Sequence, residues 1–500
     1  MHFFLADITA VTTGTLILLG LALFLALSFE FVNGFHDTAN AVATVIYTHT
    51  LPDVPAVIWS GFFNFLGVLT SSGAVAFSIV NLLPAELVIH IGSAAGFAMV
   101  FSLLVSAIVW NLGTWFLGLP ASSSHTLIGS IIGVGVANAL MSNSHYWGDG
   151  VNWAKAKDIG MALLISPVIG FCMAALLLIV MKILINNPKL YSTPDAHHPP
   201  PGWIRALLMF TCTGVSFAHG SNDGQKGMGL IMLILVGILP TTYALKSEST
   251  ALEVNALRDE LYHVAIYCKA HSENAVESKA DCDPSTVITT FLRGTHTTSP
   301  ELFSAIGVIT DSSEAQLGAV NNLNEIPEKD RGKLRSDLYL LSTVAAKLAK
   351  NHQLDSAAAE KSAKSLTTTI NGITNFIPLW VKIAVALALG LGTMIGWKRI
   401  VVTVGEKIGK THMTYGQGAA AELVAMMTIS IADVLGLPVS TTHVLSSGVA
   451  GTMAANGSGL QMSTVRNILM AWVLTLPVCV FLGATLFALC LNLVARLGLN

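Results

Sequence analysis

The sequence predicts an all-α polytopic membrane protein with two inverted-topology repeats, broken helices, re-entrant helical hairpins, about ten membrane segments and a polar insert. Three observations support this fold class. The 500 residues are 53% hydrophobic and only 11% charged, against roughly 25% charged residues in soluble domains. Long apolar runs fill both ends of the chain, and two short polar motifs each occur twice, once in each half.

Composition and motifs also argue against a nucleic-acid partner, a cleaved signal peptide and a zinc site. A net charge of −3 is too small to indicate nucleic acid as a partner. The first residues, MHFFLADITA, lack the basic start of a secretory signal peptide, so we expect no cleavage there. No cysteine spacing resembles a zinc site, and no resident cofactor is expected. Four cysteines lie in apolar runs as packing residues: Cys172, Cys212, Cys479 and Cys490.

One motif, which we call the tip, organises both halves. The first tip is GLPASSSH at 118–125, and the second tip is GLPVSTTH at 436–443. Each tip precedes a helix start, where four N–H groups lack helical partners and the macrodipole is positive, so it suits an oxyanion. The alternative is that these residues only cap two buried helices. The candidate binding hydroxyls are Ser122, Ser123, Ser124, Ser440, Thr441 and Thr442.

A second motif occurs twice within otherwise apolar segments. GFHDTANA at 34–41 aligns with AHGSNDGQKGMG at 218–229, and the alignment places Asp37 opposite Asp223. A charged residue at mid-bilayer costs about 2.5 to 3.5 kcal/mol, so such residues usually face a cavity and have a function. Both aspartates are therefore candidate sites for a cation.

Other polar side chains lie in the apolar segments. Glu422, before the second tip, is a third candidate carboxyl for binding a cation. Glu30 and Asp433 lie in apolar runs without a matched partner, and we assign them no role. Interhelical hydrogen bonds would explain the amides adequately but explain the carboxyls poorly. The amides and the one ammonium are Asn40, Asn64, Asn111, Asn222, Gln225 and Lys226.

Apolar runs divide the chain into a first membrane repeat at 1–185, a linker at 186–202, and a second repeat at 203–245 and 376–500. The polar stretch 246–375 contains no run able to span a membrane and is an inserted subdomain or a partly disordered loop. The membrane segments cover about 14–47, 54–80, 94–117, the first tip to 140, 159–185, 203–239, 376–396, 418–435, the second tip to 455, and 465–494.

Five segments per half predict that the second half is inverted. Each half crosses the membrane an odd number of times, whether its tip helices cross fully or form a re-entrant hairpin. We favour hairpins, because irregular backbone at membrane depth is tolerated where it lines a polar cavity. Both tips then meet near the midplane. Short basic loops place both termini and the insert outside. There Cys268 and Cys282 form a disulfide or remain two free thiols.

Charge balance predicts that a cation travels with the anion. Nearby carboxylates would repel an oxyanion at the tips by several kcal/mol at low effective dielectric. Na⁺, H⁺ or a divalent metal would each neutralise Asp37 and Asp223, which predicts symport. Four histidines near the motifs are candidates for a proton relay, unless their role is structural: His36, His125, His219 and His443.

The four motifs, in this order, resemble those of the inorganic phosphate transporter (Pit) family, and the chain is similar to its bacterial low-affinity phosphate permeases. The likeness covers both membrane halves but not the insert. It implies a homodimeric transporter, not an enzyme, in the bacterial inner membrane. With the orientation that the basic loops predict, both termini then lie in the periplasm. The likeness also implies proton symport of phosphate as a neutral complex with a divalent cation such as Mg²⁺, with arsenate as a second substrate.

The resemblance implies residue roles as well. The tip hydroxyls bind phosphate together with Asn40 and Asn222, and the coupling acids are Asp37, Asp223 and Glu422. The residues themselves add Gln225 as a candidate ligand, and Lys226, which pairs with either phosphate or Asp223. The family pattern Asn-Asp-x-x-Asn is altered to His36 in the first motif and Lys226 in the second, and Asn64 replaces a glutamate of animal members. Each change removes an oxygen ligand or carboxylate that Na⁺ would need. We therefore expect that Na⁺ does not drive transport.

Three alternatives remain from the sequence. The first is a Na⁺-coupled phosphate symporter. The second is a carrier or channel for another oxyanion such as sulfate. The third, a membrane phosphatase using Asp37 and His36, lacks a third metal-ligating group at close spacing and is disfavoured.

Overall fold

The computed structural model describes residues 12–37, 39–83, 93–141, 150–195, 198–246, 249–272, 283–293, 298–318 and 320–496, without the side chains at 39, 40, 241 and 293. These residues form α-helices and no β-strand, which confirms the all-α fold class. They divide into two compact units. We call the unit within 20–83, 94–231 and 377–500 the membrane unit, and the unit within 1–19, 84–93 and 232–376 the polar unit.

The apolar runs of the first half form helices in the structure. One helix ends at Asp37 and the next begins at Ala39, so the first acidic motif lies at a helix boundary. The second predicted segment is broken after residue 70, where Gly73 has a φ of +89°. The helices are α1 (Thr13–Asp37), α2 (Ala39–Tyr47), α3 (Asp53–Thr70), α4 (Ala74–Val80), α5 (Ala94–Phe116), α6 (Ser123–Met141) and α7 (Trp153–Leu184).

The second half begins with one long helix, α8 (Gly202–Ile238), which carries the second acidic motif in its interior. The helix is continuous there, in contrast to the boundary at Asp37. A short helix, α9 (Pro240–Tyr243), follows. After the insert come α15 (Leu379–Met394), α16 (Lys398–Glu406), α17 (Tyr415–Val434), α18 (Thr441–Asn456) and α19 (Met462–Arg496).

The described part of the insert is helical and has its own hydrophobic core. Buried side chains from all five helices of its described part meet there, among them Leu257, Ile288, Ile306, Leu338 and Leu366. The described residues of the insert are therefore folded, whereas the bounds of the insert as a separate subdomain remain a prediction. Its helices are α10 (Ala251–Ser272), α11 (Pro284–Arg293), α12 (Pro300–Leu317), α13 (Glu328–Lys350) and α14 (Ala357–Thr374).

The choice between a disulfide and two free thiols at Cys268 and Cys282 stays open. Cys268 is buried in α10, and burial raises the pKa of its thiol to about 12. A thiol with this pKa stays protonated at neutral pH and reacts slowly. Its predicted partner, Cys282, lies outside the described residues.

Seven helices of the described chain are long and apolar enough to cross a membrane, or up to eight if one bent pair counts as a single span. The three predicted segments beyond these seven correspond to α8, α15 and α18. The polar motif interrupts the apolar run of α8, and α15 and α18 have 16 residues each, short of the roughly 20 that a bilayer requires. Large apolar side chains, such as Leu164, Val168, Val473 and Phe481, are exposed on the outer helices, as contact with lipid requires.

In the membrane unit, the last helix of each half packs against the helix that follows the tip of the other half, an arrangement that we call the interlock. α19, the last helix of the second half, packs on α6 of the first half, and α7, the last helix of the first half, packs on α18 of the second. At both crossings a glycine touches a backbone carbonyl: Gly133 meets Val480, and Gly451 meets Phe171. Small residues let membrane helices approach this closely. The pairing fits two related halves, whereas their inverted orientation remains a prediction.

The close approach makes a direct prediction. Gly133→Ala or Gly451→Ala places a methyl group against the backbone of the facing helix, so we expect each to lower the free energy of unfolding by about 1 to 3 kcal/mol. Gly160→Ala in α7 meets open space and serves as the control. Thermal unfolding in detergent measures the difference, and equal melting temperatures for the three variants would contradict the interlock.

Candidate functional site

The first hydroxyl of each tip caps a helix. Ser122 Oγ accepts a hydrogen bond from the backbone N–H of His125 at 3.2 Å, and Ser440 Oγ accepts one from the backbone N–H of His443 at 3.1 Å. The glycine that opens each tip has a positive φ, +66° in the first tip and +63° in the second. Capping therefore explains one hydroxyl of each tip and leaves the other hydroxyls to a second role.

The two tips converge on one carboxylate. Ser123 Oγ of the first tip donates to Asp37 Oδ2 at 3.1 Å, and Thr442 Oγ1 of the second tip donates to Asp37 Oδ1. Ser124 Oγ joins the tips directly through a 2.7 Å hydrogen bond to the carbonyl of Val439. All four side chains are at most 2% exposed, and Thr441 is also buried. Hydroxyl donors of both tips thus face a single buried anion.

The second acidic motif completes the cluster from α8. Lys226 Nζ lies 2.6 Å from Asp223 Oδ2 and 3.2 Å from Ser123 Oγ, while Ser123 Oγ lies 3.3 Å from Asp223 Oδ2. His219 Nε2 lies 3.5 Å from Asp223 Oδ2 and 3.8 Å from Asp37 Oδ2. Residues 219, 223 and 226 share one helix face because they are three or four positions apart. Ser123 is thus the common neighbour of both aspartates and the lysine.

Three of these side chains have the geometry of a cation site. Asp37, His219 and Asp223 each offer one ligand atom, and these atoms lie within 4.8 Å of one another. Two carboxylates and an imidazole suit a divalent cation. The cation would lie next to the tip hydroxyls, within reach of an oxyanion bound there.

The four histidines predicted as a proton relay lie at two separate places, two beside the aspartates and two at the tips. His36 Nδ1 lies 3.6 Å from Asp37 Oδ1, and His36 Nε2 bonds to Thr114 at 3.1 Å. His219, which contacts both aspartates, bonds through Nδ1 to Asn64 at 2.6 Å. These two histidines are therefore placed to exchange protons with the cluster.

The other two histidines contact each other at the tips. The ring centroids of His125 and His443 are 4.6 Å apart, and His443 stacks on Trp472 with a centroid distance of 3.9 Å. Among the described residues, no hydrogen bond joins either of these histidines to Asp37. Their packing fits the structural role that the sequence left as an alternative.

Several predicted ligands have other partners. Asn222 Nδ2 donates to the carbonyl of Leu437 at 3.1 Å and so supports the second tip. Gln225 donates to Asp433 at 2.6 Å and accepts from the backbone N–H of Val75 at 2.8 Å. The structure therefore engages both amides with protein groups. The predicted ligand Asn40 has a side chain outside the described residues, and Asn111 accepts a bond from Thr126 behind the first tip.

Glu422 occupies a separate buried site. Its carboxylate accepts hydrogen bonds from Thr44 and Thr211, which come from α2 and α8. Among the described residues, no hydrogen bond or ion pair links Glu422 to either aspartate. A role in coupling would therefore act through the helices rather than by direct contact.

Two acidic side chains to which the sequence analysis assigned no role, Asp433 and Glu30, contact the second acidic motif. Asp433 accepts hydrogen bonds from Ser221 and Gln225, both at 2.6 Å, which ties the end of α17 to the second motif. Glu30 is fully buried seven residues before Asp37. That spacing places both acids on one face of α1, a signal that could have marked Glu30.

The fold and the site together define a class of protein. Helices of both halves bring two helix starts to a shared buried carboxylate, next to a possible cation site. Secondary transporters have this construction, with the substrate and the coupling ion at the interface of the repeats.

Comparison with known proteins gives the family. A profile described as "Phosphate transporter family" matches residues 33–483. The chain belongs to this phosphate transporter family, which confirms the resemblance seen in the four motifs. It is a family of transporters rather than enzymes.

Individual relatives agree with this assignment. The chain is 42% identical over 499 residues to "Low-affinity inorganic phosphate transporter PitB" of Escherichia coli (strain K12), covering 96% of this chain and 98% of the relative. It is 41% identical over 510 residues to PitA of the same strain, with coverage of 96% and 97%. A solved structure titled "The sodium-dependent phosphate transporter" is 19% identical, with a TM-score of 0.51 and coverage of 96% of this chain and 100% of that chain. It shares the fold.

The Lys226–Asp223 ion pair makes a prediction about stability. Lys226→Met leaves a buried carboxylate without its cation, so we expect a loss of about 3 to 5 kcal/mol in the free energy of unfolding. The double variant Lys226→Met with Asp223→Asn removes both charges and should recover most of that loss. Thermal unfolding in detergent compares them, and a single variant as stable as the wild type would rule out a charged pair.

Proposed function

We propose that this protein is a low-affinity transporter that carries inorganic phosphate across a bacterial inner membrane by proton-coupled symport. The observation that supports it most directly is the convergence of Ser123 and Thr442 on Asp37. The hydroxyls that suit an oxyanion donate to a carboxylate. Phosphate and Asp37 therefore compete for the same donors.

This competition explains why transport requires a cation. While Asp37 is a carboxylate with no bound cation, it holds the tip hydroxyls and repels a phosphate anion. A cation that binds Asp37 removes the repulsion and weakens its hold on Ser123 and Thr442. Those hydroxyls then turn to the phosphate oxygens, next to the positive ends of α6 and α18. Anion and cation each make the site suitable for the other.

The cation cluster supports a metal-phosphate complex as the transported species. Asp37, His219 and Asp223 together supply three ligand atoms, and Mg²⁺ binds through few protein carboxylates while substrate phosphate oxygens and water complete its octahedron. A neutral complex of Mg²⁺ with hydrogen phosphate adds no net charge to a site that is already buried. We expect arsenate, with nearly the same shape and charge, to use the same site.

Lys226 supports protons rather than Na⁺ as the driving ion. Its ammonium, 2.6 Å from Asp223, supplies a permanent cation to one of the two aspartates. His36 and His219 lie beside Asp37, and imidazole is the side chain that most often relays protons. The alternative, Na⁺ coupling, is stated for the structurally similar protein by its title.

Alternating access completes the proposal. The site is buried between both halves of the membrane unit, so the halves must move relative to each other to open it to either side. We further propose a homodimer with both termini in the periplasm. A carrier for another oxyanion such as sulfate is the second candidate, because helix starts bind oxyanions in general.

Purified protein in liposomes tests the proposal. Phosphate uptake is measured while the pH gradient, the Na⁺ gradient and Mg²⁺ are each varied alone. We expect uptake to need an inwardly directed proton gradient and Mg²⁺, and to ignore Na⁺. Uptake that needs Na⁺ and ignores pH would refute proton coupling. Counterflow of labelled phosphate against unlabelled sulfate should be absent, and against arsenate it should occur.

Two substitutions test the aspartates. Asp37→Asn and Asp223→Asn each remove a ligand for the cation, so we expect uptake to fall by about 100-fold or more, because even changes to the groups that support metal ligands cost about 10- to 100-fold in metal affinity or activity. The control is Asp53→Asn, at an exposed aspartate in the first turn of α3. Membrane levels are followed by immunoblot. Wild-type uptake by either variant would remove that residue from the mechanism.

A further inference from the structure

Glu30 is a buried acid that the transport cycle described above does not use. It lies on α1 and is 0% exposed. Oε2 accepts one long hydrogen bond, 3.3 Å, from Asn33, and Oε1 has no hydrogen-bond partner among the described residues. An ionised carboxylate with so few donors is costly to bury. The surroundings therefore fit a neutral, protonated carboxyl.

The Glu30 side chain packs against the second acidic motif. A Cβ placed on Gly227 would lie 2.7 Å from both Cδ and Oε1 of Glu30, so only glycine permits this approach. Gly227 follows Lys226 in α8, and the charged groups that act electrostatically on Glu30 are Lys226 and Asp223. Glu30 is thus close to the cation of the cluster without being bonded to it.

Lys226 therefore has two possible anionic partners. In this structure its ammonium lies between Asp223 Oδ2 and Ser123 Oγ, on the side of the first tip. There its charge would assist an oxyanion bound at Ser123. A carboxylate at Glu30, whose side chain contacts the residue that follows Lys226 in α8, would compete for the same ammonium.

We propose that protonation of Glu30 sets the position of Lys226 and so links proton binding to phosphate binding. With the proton bound, Glu30 is neutral, and Lys226 stays at Ser123 and Asp223, where it favours phosphate. When the proton leaves to water on the side of higher pH, the Glu30 carboxylate draws Lys226 away from the tip. Phosphate then loses a cation and is released.

The direction of this effect matches symport. Acid on the outer side loads Glu30 and phosphate together, and the less acid inner side unloads both. The inference depends on the proposed proton coupling and adds the carboxyl that carries the proton. Glu30 acts through Lys226, so it is a positioning residue rather than a ligand.

Glu30→Gln tests the inference because glutamine keeps the shape and mimics the protonated acid. Phosphate binding to purified protein in detergent is measured at a series of pH values with fixed Mg²⁺. Dividing each dissociation constant by the wild-type value at the same pH cancels the titration of phosphate itself. Above the titration midpoint of Glu30, one linked proton weakens wild-type binding by up to about tenfold per pH unit. Glu30→Gln lacks this component, so we expect the ratio of its dissociation constant to the wild-type value to fall by up to about tenfold per pH unit above that midpoint.

Transport by the same variant gives an independent readout. We expect Glu30→Gln to retain phosphate counterflow but to lose accumulation driven by a pH gradient, whereas Glu30→Asp regains part of it. Glu328→Gln, at an exposed glutamate of the insert, is the matched control. A wild-type pH profile and gradient-driven accumulation in Glu30→Gln would overturn the inference. If wild-type uptake itself ignores pH, the proposed proton coupling fails first, and the two failures are distinguishable.

Discussion

The structure depends on the hydrogen bonds that hydroxyl groups of both tips donate to one carboxylate. Ser123 from one tip and Thr442 from the other both donate to Asp37, so two opposed helix starts are held together by one buried carboxylate. Two positive helix ends repel each other unless an anion lies between them. Asp37 supplies that anion in this structure, and we propose that phosphate supplies it during transport. In this proposal, the same physical need stabilises the fold and defines the substrate.

The membrane unit is built so that this meeting of tips is possible. Close contacts at Gly133 and Gly451 pack α6 against α19 and α18 against α7. The helix that follows each tip therefore lies against the last helix of the other half. The buried charges are then offset locally. Lys226 pairs with Asp223, and His36 and His219 lie beside Asp37. A buried charge without such partners would cost several kcal/mol.

Much of this arrangement could be predicted from the sequence, because matched motifs in an apolar chain are visible without coordinates. The pairing of Asp37 with Asp223 and of the two tips belongs to this part. Hydrogen bonds between distant segments could not be predicted. The hydrogen bond from Gln225 to Asp433 and the contact of Glu30 with Gly227 depend on which helices pack together. Residue spacing along one helix does not reveal which helices are neighbours. The packed core of the polar insert was equally hidden, since its composition suits both a loop and a domain.

Equilibrium binding of phosphate to Asp37→Asn tests the central claim most directly. In the wild type, Mg²⁺ should tighten phosphate binding by at least about tenfold, or 1.4 kcal/mol, because the cation frees the tip hydroxyls from Asp37. In Asp37→Asn the competing anion is gone, so phosphate should bind without Mg²⁺ even though uptake is lost. If the variant still needs Mg²⁺ as the wild type does, phosphate and Asp37 do not share their donors, and the account is contradicted.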